Sequence, residues 1–207
     1  MKKHILIVAV IMLVTTLSGC LSTLHPLFTE KDLVYDTRLL GSWRVGDGND
    51  TAFIERGTAA SFAQLSEPLR RLANKAYVVT FRDDKETVKY YAFLTRLGKE
   101  LYLDYFPFED AHQLQYDAFY KQHLVKMHTF YRIRFNDDRS FEVSQFDEGF
   151  LEQLIKNKQI RIRHEIRFDG TYVITAPTEE LQQYVLKYND VPEAYYKDNN
   201  ATYTKLF

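Results

Sequence analysis

Residues 77–106 read YVVTFRDDKETVKYYAFLTRLGKELYLDYF, and the period of their apolar side chains decides the fold class. Tyr77, Val79 and Phe81 alternate with Val78, Thr80 and Arg82, the two-residue period of a strand with two distinct faces. Asp83-Asp84-Lys85-Glu86 is a polar corner, 87–97 is a second alternating run, and Gly98-Lys99 turns the chain into a third run at 100–106. Leu101, Leu103 and Tyr105 share one face of that third run, and Pro107 ends it by withholding a ladder N–H. Strands joined by such short turns pair antiparallel.

The same pattern extends in both directions. Residues 40–45 and 51–56 flank Gly46-Asp47-Gly48-Asn49-Asp50, whose Gly and Asn residues tolerate the positive φ of a hairpin turn. Residues 128–135 and 140–146 flank the polar connection 136–139, and 160–168 and 171–176 flank Asp169-Gly170, the strongest short-range hairpin signal in the chain. Helical spacing interrupts the strands near 67–76, at 149–158 with Phe150, Leu151, Leu154 and Ile155 as its buried stripe, and from an N-cap at Thr178 to about Tyr188. Residues 108–125 fit either a helix carrying Leu114, Phe119 and Leu124 or a long loop over a barrel mouth. Asn49-Asp50-Thr51 and Asn200-Ala201-Thr202 both read as turns. Roughly nine antiparallel segments with short helices predict a mainly β fold, an antiparallel barrel or strongly curved sheet with short peripheral helices. A two-layer α+β arrangement is the alternative. Without an internal repeat or a linker, 39–207 reads as a single β-rich domain.

Composition narrows the function classes. With 45% hydrophobic residues in 207, the chain can bury one sizeable core, and 8 Gly and 5 Pro exclude a linker-rich or collagenous polymer. The 27 basic residues against 28 acidic ones supply no general attraction for nucleic acid. The 15 Tyr and 15 Phe either fill half-buried strands or line a cavity for an apolar or sugar-like ligand.

The N-terminus carries an address. Lys2 and Lys3 precede the apolar run 5–14, which has the length of a secretory signal core and is too short for a membrane span. The run leads to Leu17-Ser18-Gly19-Cys20, which resembles the lipobox of bacterial lipoproteins. That resemblance implies a signal peptide over 1–19, cleavage between Gly19 and Cys20, and palmitate-type acyl chains on Cys20 holding the protein to a membrane. Cys20 is the single cysteine of the sequence, so the mature chain has neither an internal disulfide nor a Cys-based zinc site. Leu21 and Ser22 follow without an Asp, which in Gram-negative lipoproteins favours the outer membrane. Removing 1–19 takes away two lysines and no acid, leaving 25 basic against 28 acidic residues. Residues 20–38 form the lipidated tether, although Leu24, Leu27, Phe28, Leu33 and Val34 make part of it apolar enough to pack, and Thr29 with Asp32 suits a capping pair for one helical turn.

Leu40-Gly41-Ser42-Trp43 resembles the Gly-x-Trp element on the first strand of lipocalin-like barrels. That resemblance gives Gly41 and Trp43 structural roles, the glycine permitting a close backbone approach and the indole closing one end of the barrel. The block from Leu24-His25-Pro26-Leu27-Phe28-Thr29 through Asp32 and Tyr35, together with 175–188, is similar to a set of uncharacterised bacterial lipoproteins. It implies location without implying an activity.

Chemistry-bearing motifs are sparse. The mature histidines, at 25, 112, 123, 128 and 164, show no metal-ligand spacing, and there is neither a Gly-x-Ser-x-Gly elbow nor a phosphate-binding Gly-rich loop. The acid pairs at 83–84, 109–110 and 137–138 read as solvated corners. Arg161, Arg163 and Arg167 alternate with apolar residues, either as an outer face paired with neighbouring acids or as a basic stripe for an anionic lipid or an acidic partner. The sequence therefore predicts a non-enzymatic envelope protein without metal or cofactor. Its barrel takes a small apolar ligand; the alternative is an interaction or scaffolding module for an envelope protein complex.

Overall fold

A computed structural model describes residues 21–108, 117, 119, 123–197 and 200–207. The alternating runs become strands: β1 Ser22–Thr23, β2 Gly41–Val45, β3 Thr51–Arg56, β4 Ala76–Arg82, β5 Thr87–Leu97, β6 Glu100–Pro107, β7 His128–Phe135, β8 Ser140–Gln145, β9 His164–Ile166, β10 Tyr172–Ile174 and β11 Ala201–Lys205. Among the described residues three α-helices join them, α1 Glu67–Arg71, α2 Glu148–Lys156 and α3 Thr178–Tyr188.

Eight strands in the order β6-β5-β4-β3-β2-β11-β8-β7 pair antiparallel, and β7 closes on β6 through Leu101↔Ile133 to Tyr105↔Thr129. The result is a closed antiparallel barrel, as the alternating runs predict, with three further strands outside it. The extra strands begin where β8 ends. Its last partner on β7 is Tyr131, opposite Gln145, and two residues further Thr129 pairs with Ser22 of β1 on that side while keeping Tyr105 of β6 on the other. β10 adds to β1 in parallel and β9 adds to β10 antiparallel.

Period two sorts the side chains into separate cores. Inside the barrel lie Trp43, Ile54, Tyr77, Val79, Leu94, Leu103, Ile133 and Phe141. On its outer face, Leu27, Tyr102, Phe130 and Phe146 meet Leu151 of α2 and Leu181 and Val185 of α3. A third cluster under α1 gathers Phe28, Phe62, Tyr91, Phe93 and Phe106. The described part of the expected tether packs on the barrel, with Leu21, Leu27, Phe28 and Leu33 buried.

Several sequence expectations need correction. Asn200-Ala201-Thr202 is not a turn: Ala201–Lys205 is β11, which sits between β2 and β8 and completes the closure. The expected strand 160–168 shortens to His164–Ile166, because Ile162 turns into the outer core beside α3. The helix near 67–76 is one α-turn, Glu67–Arg71, followed by a 3₁₀ turn at Ala73–Lys75. Thr178 is the first residue of α3 rather than its cap; Pro177 occupies that position, and the Thr178 hydroxyl donates to the Pro26 carbonyl at 2.8 Å. Most of the 108–125 stretch lies outside the described residues.

Candidate ligand-binding mouth of the barrel

One end of the barrel is sealed by the chain that precedes β2. Val34 donates its N–H to the Leu94 carbonyl at 2.9 Å, and a 3₁₀ turn at Thr37–Leu39 crosses the end. The Tyr77 hydroxyl accepts from the Asp36 N–H at 2.7 Å. Trp43 is 0% exposed, its indole N–H donates to the Leu39 carbonyl at 2.8 Å, and its ring meets Phe141 edge-on at 4.7 Å. Two residues earlier, Gly41 has φ +124°, and a Cβ there would lie 3.2 Å from the Lys205 side chain of β11. Both the backbone angle and the approach of the last strand favour glycine at this position.

The other end, ringed by the β4–β5 turn, Pro107, Met127 and Ala201, opens into a cavity of about 490 Å³. Inward-facing strand positions line it: Phe81 of β4, Val88 and Tyr90 of β5, Tyr105 of β6, Thr129 and Tyr131 of β7, Val143 of β8 and Tyr203 of β11. Ring centroids are 5.9 Å apart for Phe81 and Tyr90, 6.1 Å for Tyr90 and Tyr105, and 5.7 Å for Tyr105 and Tyr131. None of these lining residues carries a formal charge.

Two phenols give the apolar wall its polar points. Tyr105 and Tyr203 are only 6% and 7% exposed, and no described residue hydrogen-bonds either hydroxyl. Burial pushes both phenols above their usual range, with the Tyr203 and Tyr131 hydroxyls adding to the effect at Tyr105. Both are therefore neutral donors throughout the physiological pH range. Both phenols line the cavity without a protein partner among the described residues, so each is free to donate to an acceptor atom of a bound molecule.

Outside the barrel a polar clamp holds the N-terminal block. Asp104 is fully buried on the outer face of β6, where one carboxylate oxygen accepts the Leu27 N–H at 2.6 Å and the other lies 2.6 Å from Nδ1 of His128. Burial pushes the Asp104 carboxyl up, against the opposing pull of His128 and the Leu27 amide. Thr29 and Asp32 form the capping box of the 3₁₀ turn Glu30–Asp32. Although burial pushes Asp32 up, hydrogen bonds from Thr29 and from Gln182 of α3 hold its carboxyl below the usual range. Gln182 also donates to the Leu27 carbonyl at 2.9 Å. The N-terminal block 24–35 is thus pinned to β6 and α3.

The remaining singled-out residues fall elsewhere. Gly19, Cys20, His112 and the 109–110 acid pair lie outside the described residues. His25 and His123 are exposed, and His164 Nδ1 sits 2.8 Å from the Ile162 carbonyl. Asp83 and Asp137 cap their own turns by accepting backbone N–H groups. Arg163 pairs with Glu180 at 3.0 Å and Arg167 with Asp169 at 3.7 Å, both away from the mouth. Among the described residues no group of three His, Cys, Asp or Glu side chains is placed to hold a metal. Tyr90, Tyr105, Tyr131 and Tyr203 were not marked by any motif. Their signal is parity along four strands, and it becomes a site when the barrel closes.

Fold and site together define a closed eight-stranded antiparallel barrel, plugged at one end by an indole and open at the other into an aromatic cavity. Neither protein-family models, nor curated protein sequences, nor solved structures give a match to the chain.

Proposed function

We propose that this chain is a lipid-anchored protein of the bacterial cell envelope whose barrel binds a small, uncharged, mainly apolar molecule in its open mouth. The observation that carries the binding reading is the cavity of about 490 Å³, which sits in the size range of small-ligand sites and combines aromatic walls with two unpartnered phenol donors. Among the described residues no charged side chain lines the cavity, which favours an uncharged ligand. An anionic head would be buried without a counter-ion, at a cost of several kcal/mol, whereas a carbonyl, ether or hydroxyl oxygen matches Tyr105 and Tyr203. The anchor reading rests on the Leu17-Ser18-Gly19-Cys20 element, and the role is binding, without a chemical step.

Native mass spectrometry of the full-length, detergent-extracted protein tests the binding reading. The expected result is an uncharged co-purifying molecule, or uptake of the uncharged probe 1-aminoanthracene when the mouth is empty. Tyr105→Phe combined with Tyr203→Phe should weaken binding of the co-purifying, oxygen-bearing molecule roughly thirtyfold, since each of the two lost hydrogen bonds contributes about 1 kcal/mol. Stability should stay within about 1 kcal/mol of the parent, because no protein group loses a partner. A barrel that takes up neither ligand nor probe would sink the binding reading. The anchor is tested separately: Cys20→Ser should abolish acyl labelling and release the protein from membranes.

A further inference from the structure

The β9–β10 hairpin ends in a turn whose geometry does not call for an aromatic. Gly170 donates to the Arg167 carbonyl at 2.9 Å, Asp169 accepts the Thr171 N–H at 3.0 Å, and Gly170 supplies the positive φ of +85°. Phe168 makes none of these bonds, yet it stands 99% exposed at the tip, with Ile166, two residues earlier, 56% exposed. A single exposed apolar side chain is ordinary. A fully exposed phenylalanine at the apex of a hairpin, with an isoleucine just behind it, forms a wedge.

The chemistry around the wedge is basic. Residues 156–170 contain Lys156, Lys158, Arg161, Arg163 and Arg167 against Glu165 and Asp169, a local excess of positive charge in a chain whose mature form is net acidic. Lys156, Arg163 and Arg167 pair with Glu152, Glu180 and Asp169. Among the described residues, Lys158 and Arg161 have no carboxylate within ion-pair distance, and both are exposed.

Strand direction ties this wedge to the N-terminus. β1 runs parallel to β10 with Ser22 opposite Val173 and Thr23 opposite Ile174. Followed toward its N-terminus, β1 therefore heads for the hairpin tip, and Leu21 comes level with Tyr172, two positions from Gly170. The acyl chains of the anchor reading would leave the domain beside this tip. Along β7 the same direction leads away from the open mouth, whose rim includes Met127 and Thr129.

We propose that the β9–β10 tip is a membrane-docking element: Phe168 and Ile166 enter the interfacial layer of the bilayer that carries the anchor, and Lys158 and Arg161 meet its anionic phospholipid headgroups. The inference rests on the anchor reading and is independent of what occupies the barrel. Interfacial aromatics and basic side chains beside an anionic leaflet are a favourable pairing, and a second, protein-borne contact restricts how the barrel tilts on its tether. The mouth then faces away from the lipid.

The test uses the lipidated full-length protein in vesicles of phosphatidylethanolamine with phosphatidylglycerol. Thioether linkage of Cys20 leaves a Phe168→Cys substitution as the one free thiol, which takes an environment-sensitive fluorophore. The expected result is blue-shifted emission quenched by nitroxide-bearing lipid, with the shift lost in Lys158→Gln/Arg161→Gln and reduced in phosphatidylcholine vesicles. An Asp84→Cys label at the mouth should stay in water. In the unlabelled protein, vesicles should slow hydrogen exchange over 165–171, an effect that Phe168→Ser removes. A label at 168 as water-exposed as the one at 84, in protein that carries acyl label on Cys20, overturns the proposal. Loss of the acyl label itself overturns the anchor reading instead. Equal blue shifts in neutral and anionic vesicles overturn the headgroup role of Lys158 and Arg161.

Discussion

Trp43→Ala removes the plug of the closed end, and its cost follows from what surrounds the indole. A tryptophan buries roughly 150–250 Å², and at about 25 cal/mol per Å² the apolar transfer alone is about 4–6 kcal/mol, of which the alanine retains a small part. Phe141, edge-on at 4.7 Å, loses its ring partner, and the Leu39 carbonyl loses the indole N–H that satisfies it at 2.8 Å. Collapse of the neighbouring 3₁₀ turn recovers part of that loss. The expected destabilisation is therefore about 3–5 kcal/mol, the range of large aromatic truncations in cores. In a domain held by roughly 5–15 kcal/mol, that brings the protein close to failure to accumulate. Urea unfolding followed by circular dichroism measures the loss, and Trp43→Phe should cost less because a ring still fills the end. As the sole tryptophan, Trp43 also reports itself: native emission should be blue-shifted, poorly quenched by iodide, and red-shifted on unfolding. Red, readily quenched native emission, or a loss below about 1 kcal/mol in Trp43→Ala, would refute the plug.

Two further perturbations probe the outer face. Asp104→Ala strips the buried Leu27 N–H and His128 Nδ1 of their partner and should cost about 2–4 kcal/mol, with faster hydrogen exchange of the Leu27 amide as the local reading. Glu100, buried against β7, accepts both arms of the half-exposed Arg134 guanidinium at 2.9 and 2.8 Å, and this hydrogen bonding holds its carboxyl below its ordinary 4.5. A lowered folded pKa contributes stability above the unfolded value and loses it as pH falls through the folded one. Glu100→Gln should therefore lower stability by about 1 kcal/mol at neutral pH, and the gap from the parent should shrink as denaturation midpoints are compared at decreasing pH below 4.5.

The legibility of this fold varied with the length of the pattern. Runs such as Thr87–Leu97 and Glu100–Pro107 carry enough alternating residues to mark both strand and face, and the corners at Asp83 and Gly98 mark where they turn. β11 is five residues long with a threonine-rich outer face, and β1 is two residues long. Neither carries a periodic signal above noise, yet one completes the barrel and the other bridges it to the outer hairpin. Residues 160–163 alternate as a strand would, but Ile162 gains more by packing beside α3 than by extending β9. Thr178 resembles a cap, and its hydroxyl is used across the fold on Pro26 instead.

By itself the sequence determined what local chemistry can determine: period-two faces, turn positions, the expectation of export and lipidation from 1–20, and the lack of any catalytic motif. Tertiary structure alone decided which faces look inward and which strand closes the ring. Tyr90, Tyr105, Tyr131 and Tyr203 come from four strands spread over more than a hundred residues, and they share a cavity because β11 inserts between β2 and β8 and β7 meets β6. Asp104 likewise reads as an ordinary strand residue until Leu27 and His128 converge on it. Alternation is a property of a chain with its near neighbours. A cavity or a buried carboxylate clamp is a property of distant segments brought together, and register between them is set by the closed ladder of backbone hydrogen bonds that no short stretch encodes alone.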